Sequence, residues 1–208
     1  MNEWMEQFQT QTTEEIAESL IGMYLEHCLP DGIVGCYIVD CEAYLGPEDE
    51  AAHSYGMRDT PRLKAMYQEP GTIYLYSMHG NLILNIVTQN IGIPQGVMIR
   101  GLEPIDGIEQ MKARRRKTGS ELSNGPGKLV AALGITKELY GRSIFTSPLR
   151  LVPEKKRQPK KIVRLPRIGI PNKGSWTNAP LRYVAWGNPY VTNIRKKEID
   201  DHYGWSYE

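Results

Sequence analysis

A carboxylate closes a run of strand-forming residues, and an aromatic ring follows it at strand spacing. Ile33 to Tyr44 is rich in β-branched and aromatic side chains and ends in Asp40-Cys41-Glu42-Ala43-Tyr44. Side chains alternate along a strand, so Val34, Cys36, Ile38, Asp40, Glu42 and Tyr44 are expected on one face, with Tyr44 about 7 Å past Glu42. His53 comes after the acidic stretch Gly46-Pro47-Glu48-Asp49-Glu50. A buried base, an aromatic plate and an imidazole are the parts needed to hold a planar ligand and activate a water beside it.

A glutamate in an apolar run is costly without a partner. Arg100, at the end of Val97-Met98-Ile99, is the matching incongruity. An Arg–Glu pair across the sheet would satisfy both, either as a bare buried ion pair or as part of a site. Tyr74 and Tyr76 share a face of a further strand. Tyr44 and Tyr76 could enclose a flat group, with Glu42 at its edge and His53 within reach as a donor. Without a ligand, the same tyrosines would serve as sheet packing.

Two other motifs fail on inspection. Glu50-Ala51-Ala52-His53 has the Glu-x-x-His spacing of di-iron sites, but the second copy is absent. Gly125-Pro126-Gly127-Lys128 is not a phosphate-binding loop of the P-loop type, since Leu122 and Leu129 stand at its required positions. It still offers backbone N–H groups at a helix start, where a phosphate could sit.

The elements that must position these residues follow from the pattern. Residues 1–11 read as a loosely held arm, pinned by Trp4 and Phe8. Thr12 or Thr13 caps a helix with Glu14 and Glu15 at its positive end, and Ile16, Ala17 and Leu20 form its apolar stripe. Gly46 to Pro70 reads as a functional loop. Thr72 to Met78 is a strand, His79-Gly80-Asn81 a tight turn, and Leu82 to Thr88 the returning strand of a hairpin. Gly96 to Leu102 is another strand, after which Pro104 is expected to open a helix through Ile108 and Met111. A second helix runs from Leu129 to Leu133 and is closed by Gly134. Residues 153–161 form an exposed basic loop, and short strands around Ile162–Ile170 and Arg182–Trp186 complete the chain. The fold class is α+β: one domain over residues 12–208, with a mostly antiparallel sheet, a protruding β-hairpin and flanking helices.

At 208 residues and 40% hydrophobic content, the chain is long and apolar enough to bury one core. No apolar run is long enough for a membrane span. The acidic start, Met1-Asn2-Glu3-Trp4-Met5-Glu6, is unlike a signal peptide, so the cytoplasm is the expected location. Cys28, Cys36 and Cys41 have poor spacing for zinc. Cys36 and Cys41 are expected on opposite faces of their strand, and all three read as reduced thiols. No metal and no cofactor are expected. Residues 1–55 hold twelve acidic residues and no Lys or Arg, leaving twelve acids against all 25 bases in the remainder. Such polarity points to an anionic partner, most often nucleic acid.

Several separated blocks carry a resemblance. They are Glu42-Ala43-Tyr44-Leu45-Gly46-Pro47-Glu48-Asp49-Glu50-Ala51-Ala52-His53-Ser54, Pro70 to Tyr76, Arg100-Gly101-Leu102-Glu103-Pro104, Gly125 to Leu129, Pro166-Arg167-Ile168-Gly169-Ile170 and Pro180-Leu181-Arg182-Tyr183. In this order, from about Glu15 to Asn193, the chain resembles the alkyladenine (3-methyladenine) DNA glycosylase family. The resemblance implies a monofunctional enzyme that flips damaged purines out of double-stranded DNA and hydrolyses their glycosidic bonds, acting as a monomer. It implies Glu42 as the general base, with Arg100 and the backbone carbonyl of Ile168 helping to hold the water. Tyr44 and Tyr76 would stack on the flipped base, His53 would hydrogen-bond it, and Asn85 would disfavour bases with an exocyclic amino group. Arg114, Arg115, Arg116 and Lys128 would contact the DNA backbone.

Two departures stand out. His79 occupies the turn position where the family usually carries an intercalating tyrosine, so His79 is the candidate wedge. The strand leading to Asn85 is one residue shorter than the family pattern. Such a change inverts the face of a side chain unless a bulge absorbs it. Two other readings use the same residues: a non-catalytic nucleic-acid binding module, and a small-molecule nucleosidase.

Overall fold

The computed structural model describes residues 3–206. Its strands are β1 (Tyr24–Leu29), β2 (Gly32–Tyr44), β3 (Ile73–Met78), β4 (Asn81–Val87), β5 (Gly96–Asp106), β6 (Leu149–Val152), β7 (Ile162–Leu165) and β8 (Arg182–Ala185). They form one antiparallel sheet in the order β3-β4-β5-β2-β1-β6, with β8 also paired to β2 and β7 to β8. β2 is the axis. Its one edge carries β5, and its other edge is shared in turn by β1, opposite Gly32–Tyr37, and β8, opposite Asp40–Glu42. The α+β architecture with a β3–β4 hairpin is the one read from the pattern.

The β2–β5 ladder is irregular beside the predicted site. Pairing passes from Ile38↔Leu102 to Asp40↔Gly101 and then to Cys41↔Ile99, so the ladder skips Val39 on one strand and Arg100 on the other. An extra residue inverts the alternation beyond it. The expectation of one face from Val34 to Tyr44 is therefore corrected. Val34, Cys36 and Ile38 join Cys41 and Ala43 in the helix-covered core. Glu42 and Tyr44 turn to the opposite face, across from Met98 and Gly96. Cys36 and Cys41 thus share a side instead of opposing each other. Both are buried free thiols, and burial raises the pKa of each.

Helices α1 (Glu3–Thr10), α2 (Thr13–Leu20), α3 (Ile108–Arg115) and α4 (Pro126–Ala132) pack around the sheet. The predicted arm is corrected to helix α1 because its apolar residues have somewhere to go. Phe8 is 1% exposed and meets Phe145 edge-on at 5.3 Å. Residues 1–2 of that segment lie outside the described residues. Thr12 caps α2 and Glu15 closes a capping box, and Ile16, Ala17 and Leu20 are buried as their spacing requires. Pro104 does not open a helix. It pairs with Cys36 inside β5, beside a register shift and beyond the residues that β4 covers. A residue lacking an N–H is tolerated in a strand at such a place. The helix starts four residues later, at Ile108. α4 begins with Pro126 after Gly125, and Gly127 lies against the hairpin. A Cβ at Gly127 would come within 2.8 Å of the Asn81 side chain.

The acidic N-terminal quarter is tied to the basic remainder through the interior. Three pairs are buried, Asp40 with Arg182, Glu42 with Arg100 and Asp49 with Arg167, and a fourth joins buried Glu26 to the half-exposed Arg150. Removing one member of a buried pair costs about 3–5 kcal/mol. Part of the charge polarity is therefore internal and is not presented to a partner. The exposed basic loop behaves similarly. Lys155, Lys156 and Arg157 lie over the rings of Tyr24, Trp4 and Trp205.

Candidate active site

A row of side chains in register crosses four strands on the face opposite the helices. Glu42 of β2 pairs with Met98 of β5, Met98 with Asn85 of β4, and Asn85 with Tyr74 of β3. Strands are about 4.8 Å apart, so this row spans about 14 Å. Above it lies a cavity of about 420 Å³, within the range of small-ligand sites. Tyr44, His53, Tyr74, Tyr76, Asn85, Met98, Arg100 and Ile168 all line it, together with His79 from the hairpin tip. The structure thus gathers these sequence-predicted residues around one cavity.

Glu42 differs in position from its expectation. It is completely buried, one layer behind the cavity wall rather than at the ligand's edge. Its carboxylate is screened by three groups that do line the cavity. The Tyr44 hydroxyl donates to Oε2 at 2.9 Å, and the Ile168 N–H donates to Oε1 at 2.9 Å. Arg100 Nε lies 2.6 Å from Oε1. The guanidinium also reaches the Ile168 carbonyl at 3.5 Å. These contacts offset the desolvation that makes an isolated buried carboxylate so costly. Burial works against the charge on Arg100, but Glu42 outweighs it and raises the Arg100 pKa. Burial first, and then Glu42, keeps the Tyr44 hydroxyl protonated far above neutrality. Tyr44 is thereby a donor at any working pH.

The aromatic wall is built from β3 and the loop after β2. Tyr74 and Tyr76 are stacked, with centroids 5.7 Å apart. The His53 ring stands edge-on to Tyr76 at 4.5 Å, and its Nδ1 is 3.2 Å from the Tyr74 hydroxyl. Burial lowers the His53 pKa, and Arg62 and Arg58 lower it further. The imidazole is therefore neutral at pH 7. Burial likewise pushes the Tyr76 pKa up to about 12.

The short β4 strand does not misdirect Asn85. The hairpin closes with only His79 and Gly80 in the turn, at φ values of 48° and 78°. This double left-handed turn suits strand twist, and it sets the register so that Asn85 faces the cavity. The Asn85 amide N–H groups point to the carbonyls of Tyr74 and Ile83, at 3.3 and 3.4 Å. His79 is exposed at the tip, and its neighbour Met78 is 43% exposed.

The cations assigned to the DNA backbone divide. Arg114 binds Asp31 and the Ala132 carbonyl, Arg115 caps the carbonyls of Leu122 and Glu121, and Lys128 binds Glu121 and Asn124. Those three brace α3 and α4. Arg116 is exposed, in the left-handed conformation that ends α3. Sequence reading missed Lys173, which lines the cavity. It also missed Arg58 and Arg62, which sit close enough to influence His53. Lys173 follows the conspicuous Pro166–Ile170 block by three residues, and that proximity was the available signal.

Known proteins share this chain almost end to end. The family model described as methylpurine-DNA glycosylase matches residues 7–189. A protein of Enterococcus faecalis, provisionally named 3-methyladenine DNA glycosylase, is 62% identical over 100% of this chain and 92% of its own length. One of Lactiplantibacillus plantarum with the same name is 48% identical over 94% of each chain. One of Listeria monocytogenes is 43% identical over 92% of this chain and 93% of its own. The resemblance read from the separated blocks is borne out: the chain belongs to the methylpurine-DNA glycosylase family and is a DNA glycosylase.

Proposed function

We propose that this protein removes N-alkylated purines, 3-methyladenine and 7-methylguanine foremost, from double-stranded DNA by hydrolysis, with Glu42 as the general base. The observation that carries the reading is the cavity wall itself. Aromatic rings and a neutral imidazole line one side, and a buried, ion-paired carboxylate stands behind the other.

The target base lies inside the duplex stack, so it must first be rotated out at a cost of a few kcal/mol. His79 fills the gap it leaves. Tyr44 and Tyr76 hold the faces of the base and His53 bonds its edge. Water attacks C1′ as the bond to the base nitrogen breaks, through an oxocarbenium-like transition state. The bonding pair leaves with the base and neutralises its positive charge. Glu42 takes the water's proton, with Tyr44 giving way to admit the water. Arg100 and the Ile168 carbonyl hold that water against C1′. An abasic site and a free base result. Water and not an amine is the nucleophile in this mechanism, so no Schiff base forms at C1′ and the strand stays intact.

Substrate preference follows from what is missing. Among the described residues lining the cavity none is Asp or Glu, and burial disfavours the protonated form of His53. A cationic alkylated purine leaves without an acid. A neutral base such as hypoxanthine needs one, and general acid catalysis contributes about 10²–10⁴-fold. Hypoxanthine and ethenoadenine are thus the weaker candidates.

The test is release of free base from duplexes carrying 7-methylguanine, 3-methyladenine or hypoxanthine. The alkylated bases should be released at least about 10²-fold faster than hypoxanthine. Tight binding with no release would make the protein a binding module. Salt-insensitive cleavage of free nucleosides would make it a nucleosidase.

A further inference from the structure

The Pro166–Ile170 segment approaches β2 without belonging to a strand, yet its residue Ile168 donates to Glu42 and accepts from Arg100. Something must hold it there, and the structure supplies one strong attachment. Arg167 is buried and makes a two-pronged contact with Asp49, with Nη2 donating to Oδ1 at 2.9 Å and Nη1 to Oδ2. The same Nη1 donates to the Ala43 carbonyl at 3.0 Å, between Glu42 and Tyr44. The guanidinium also lies 4.6 Å from the centre of the Tyr44 ring. Asp49 in turn accepts from the N–H groups of Leu45 and Ala51, which fixes the loop leading to His53. Neither Arg167 nor Asp49 lines the cavity, so neither can touch a base in this geometry.

We infer that Arg167, locked to Asp49, is a positioning residue for excision: it clamps Ile168 against Glu42, backs the Tyr44 ring and anchors the His53 loop. The inference rests on the reading of Glu42 as the general base. The geometry favours it over a pair kept only for stability. Arg167 Nε is buried with no hydrogen-bond partner, so the pair is not arranged to satisfy the side chain fully. Its remaining contacts all fall on residues that carry or adjoin the proposed chemistry. An isolated ammonium cannot reproduce the fork or the planar stack, so lysine is not an equivalent residue here.

Two variants test this on full-length protein: Arg167→Lys, and Arg167→Met combined with Asp49→Asn, which keeps an acceptor for one of the two loop N–H groups. Single-turnover excision of 7-methylguanine is measured beside the affinity for duplex containing an abasic site, with Glu42→Gln as the control. The expected result is a loss of at least tenfold in excision rate for either variant, with abasic-duplex affinity within threefold of the parent. Excision within twofold of the parent by a folded variant, while Glu42→Gln is inactive, would overturn the positioning role and leave the Glu42 reading intact. Activity in Glu42→Gln would instead remove the reading on which it rests. Failure of both variants to fold would show a purely structural pair and would also overturn the inference.

Discussion

The hydroxyl of Tyr44 donates a 2.9 Å hydrogen bond to the buried carboxylate of Glu42, two residues before it on the same strand. One residue is thus both a wall of the cavity and a cap on the group behind that wall. Tyr44→Phe separates the two roles. The ring remains, but a buried acceptor loses its donor, which costs about 1–3 kcal/mol. Thermal or denaturant unfolding should show that loss. Affinity for lesion duplex should stay within about threefold, because stacking belongs to the ring. Unchanged stability would mean that the hydroxyl is not a needed partner of Glu42.

His79 is exposed at the tip of a two-residue turn, so its side chain contributes little to the fold. His79→Ala should leave stability within about 0.5 kcal/mol, as for surface positions generally. It should weaken binding to lesion duplex by about tenfold, the scale of one lost stacking contact. His79→Tyr should bind at least as tightly as the parent, because a larger ring fills more of the gap. Equal binding by the alanine variant and the parent would leave the hairpin tip without a wedge.

His53 makes a pH prediction whose sign is set by its surroundings. Burial, and then Arg62 and Arg58, hold its pKa below the ordinary 6.5. Below 6.5 the unfolded chain therefore binds more protons at this position than the folded one. The stability contribution is complete above 6.5 and is lost as the pH falls through the lower folded-state value. NMR titration of the ring should give a midpoint below 6.5. A midpoint at or above 6.5 would show that His53 is charged near neutrality and would reopen it as the acid for neutral bases.

What was legible in the sequence was incongruity. Glu42 and Arg100 stood out because charges in apolar strands need partners, and they are partners. The hairpin stood out because His79-Gly80 tolerates positive φ between two alternating runs. Bulges left no such mark. Val39 looks like an ordinary strand residue, and Arg100 drew notice for its charge and not for its pairing, yet the register shifts beside them decide that Glu42 faces away from the core that holds Cys36 and Ile38. Pro104 misled for a related reason: its first-turn preference is local, whereas the pairing with Cys36 is a tertiary fact. Runs of cations hid a second feature, the hydrogen bonds by which Arg114 and Arg115 brace helix ends through the Ala132 and Leu122 carbonyls. The Asp49–Arg167 pair was invisible because 118 residues separate its members.

The central claim concerns the carboxylate of Glu42, and Glu42→Gln tests it most directly. The amide has the same shape, its single oxygen can still accept from the Ile168 N–H, and its NH2 can donate to a reoriented Tyr44 hydroxyl, but it cannot take a proton from water. Single-turnover excision of 7-methylguanine from duplex DNA should fall by about 10²–10⁴-fold, the usual share of a general base. Circular dichroism and affinity for lesion duplex should stay close to the parent. A folded Glu42→Gln protein that excises within tenfold of the parent rate would contradict the account.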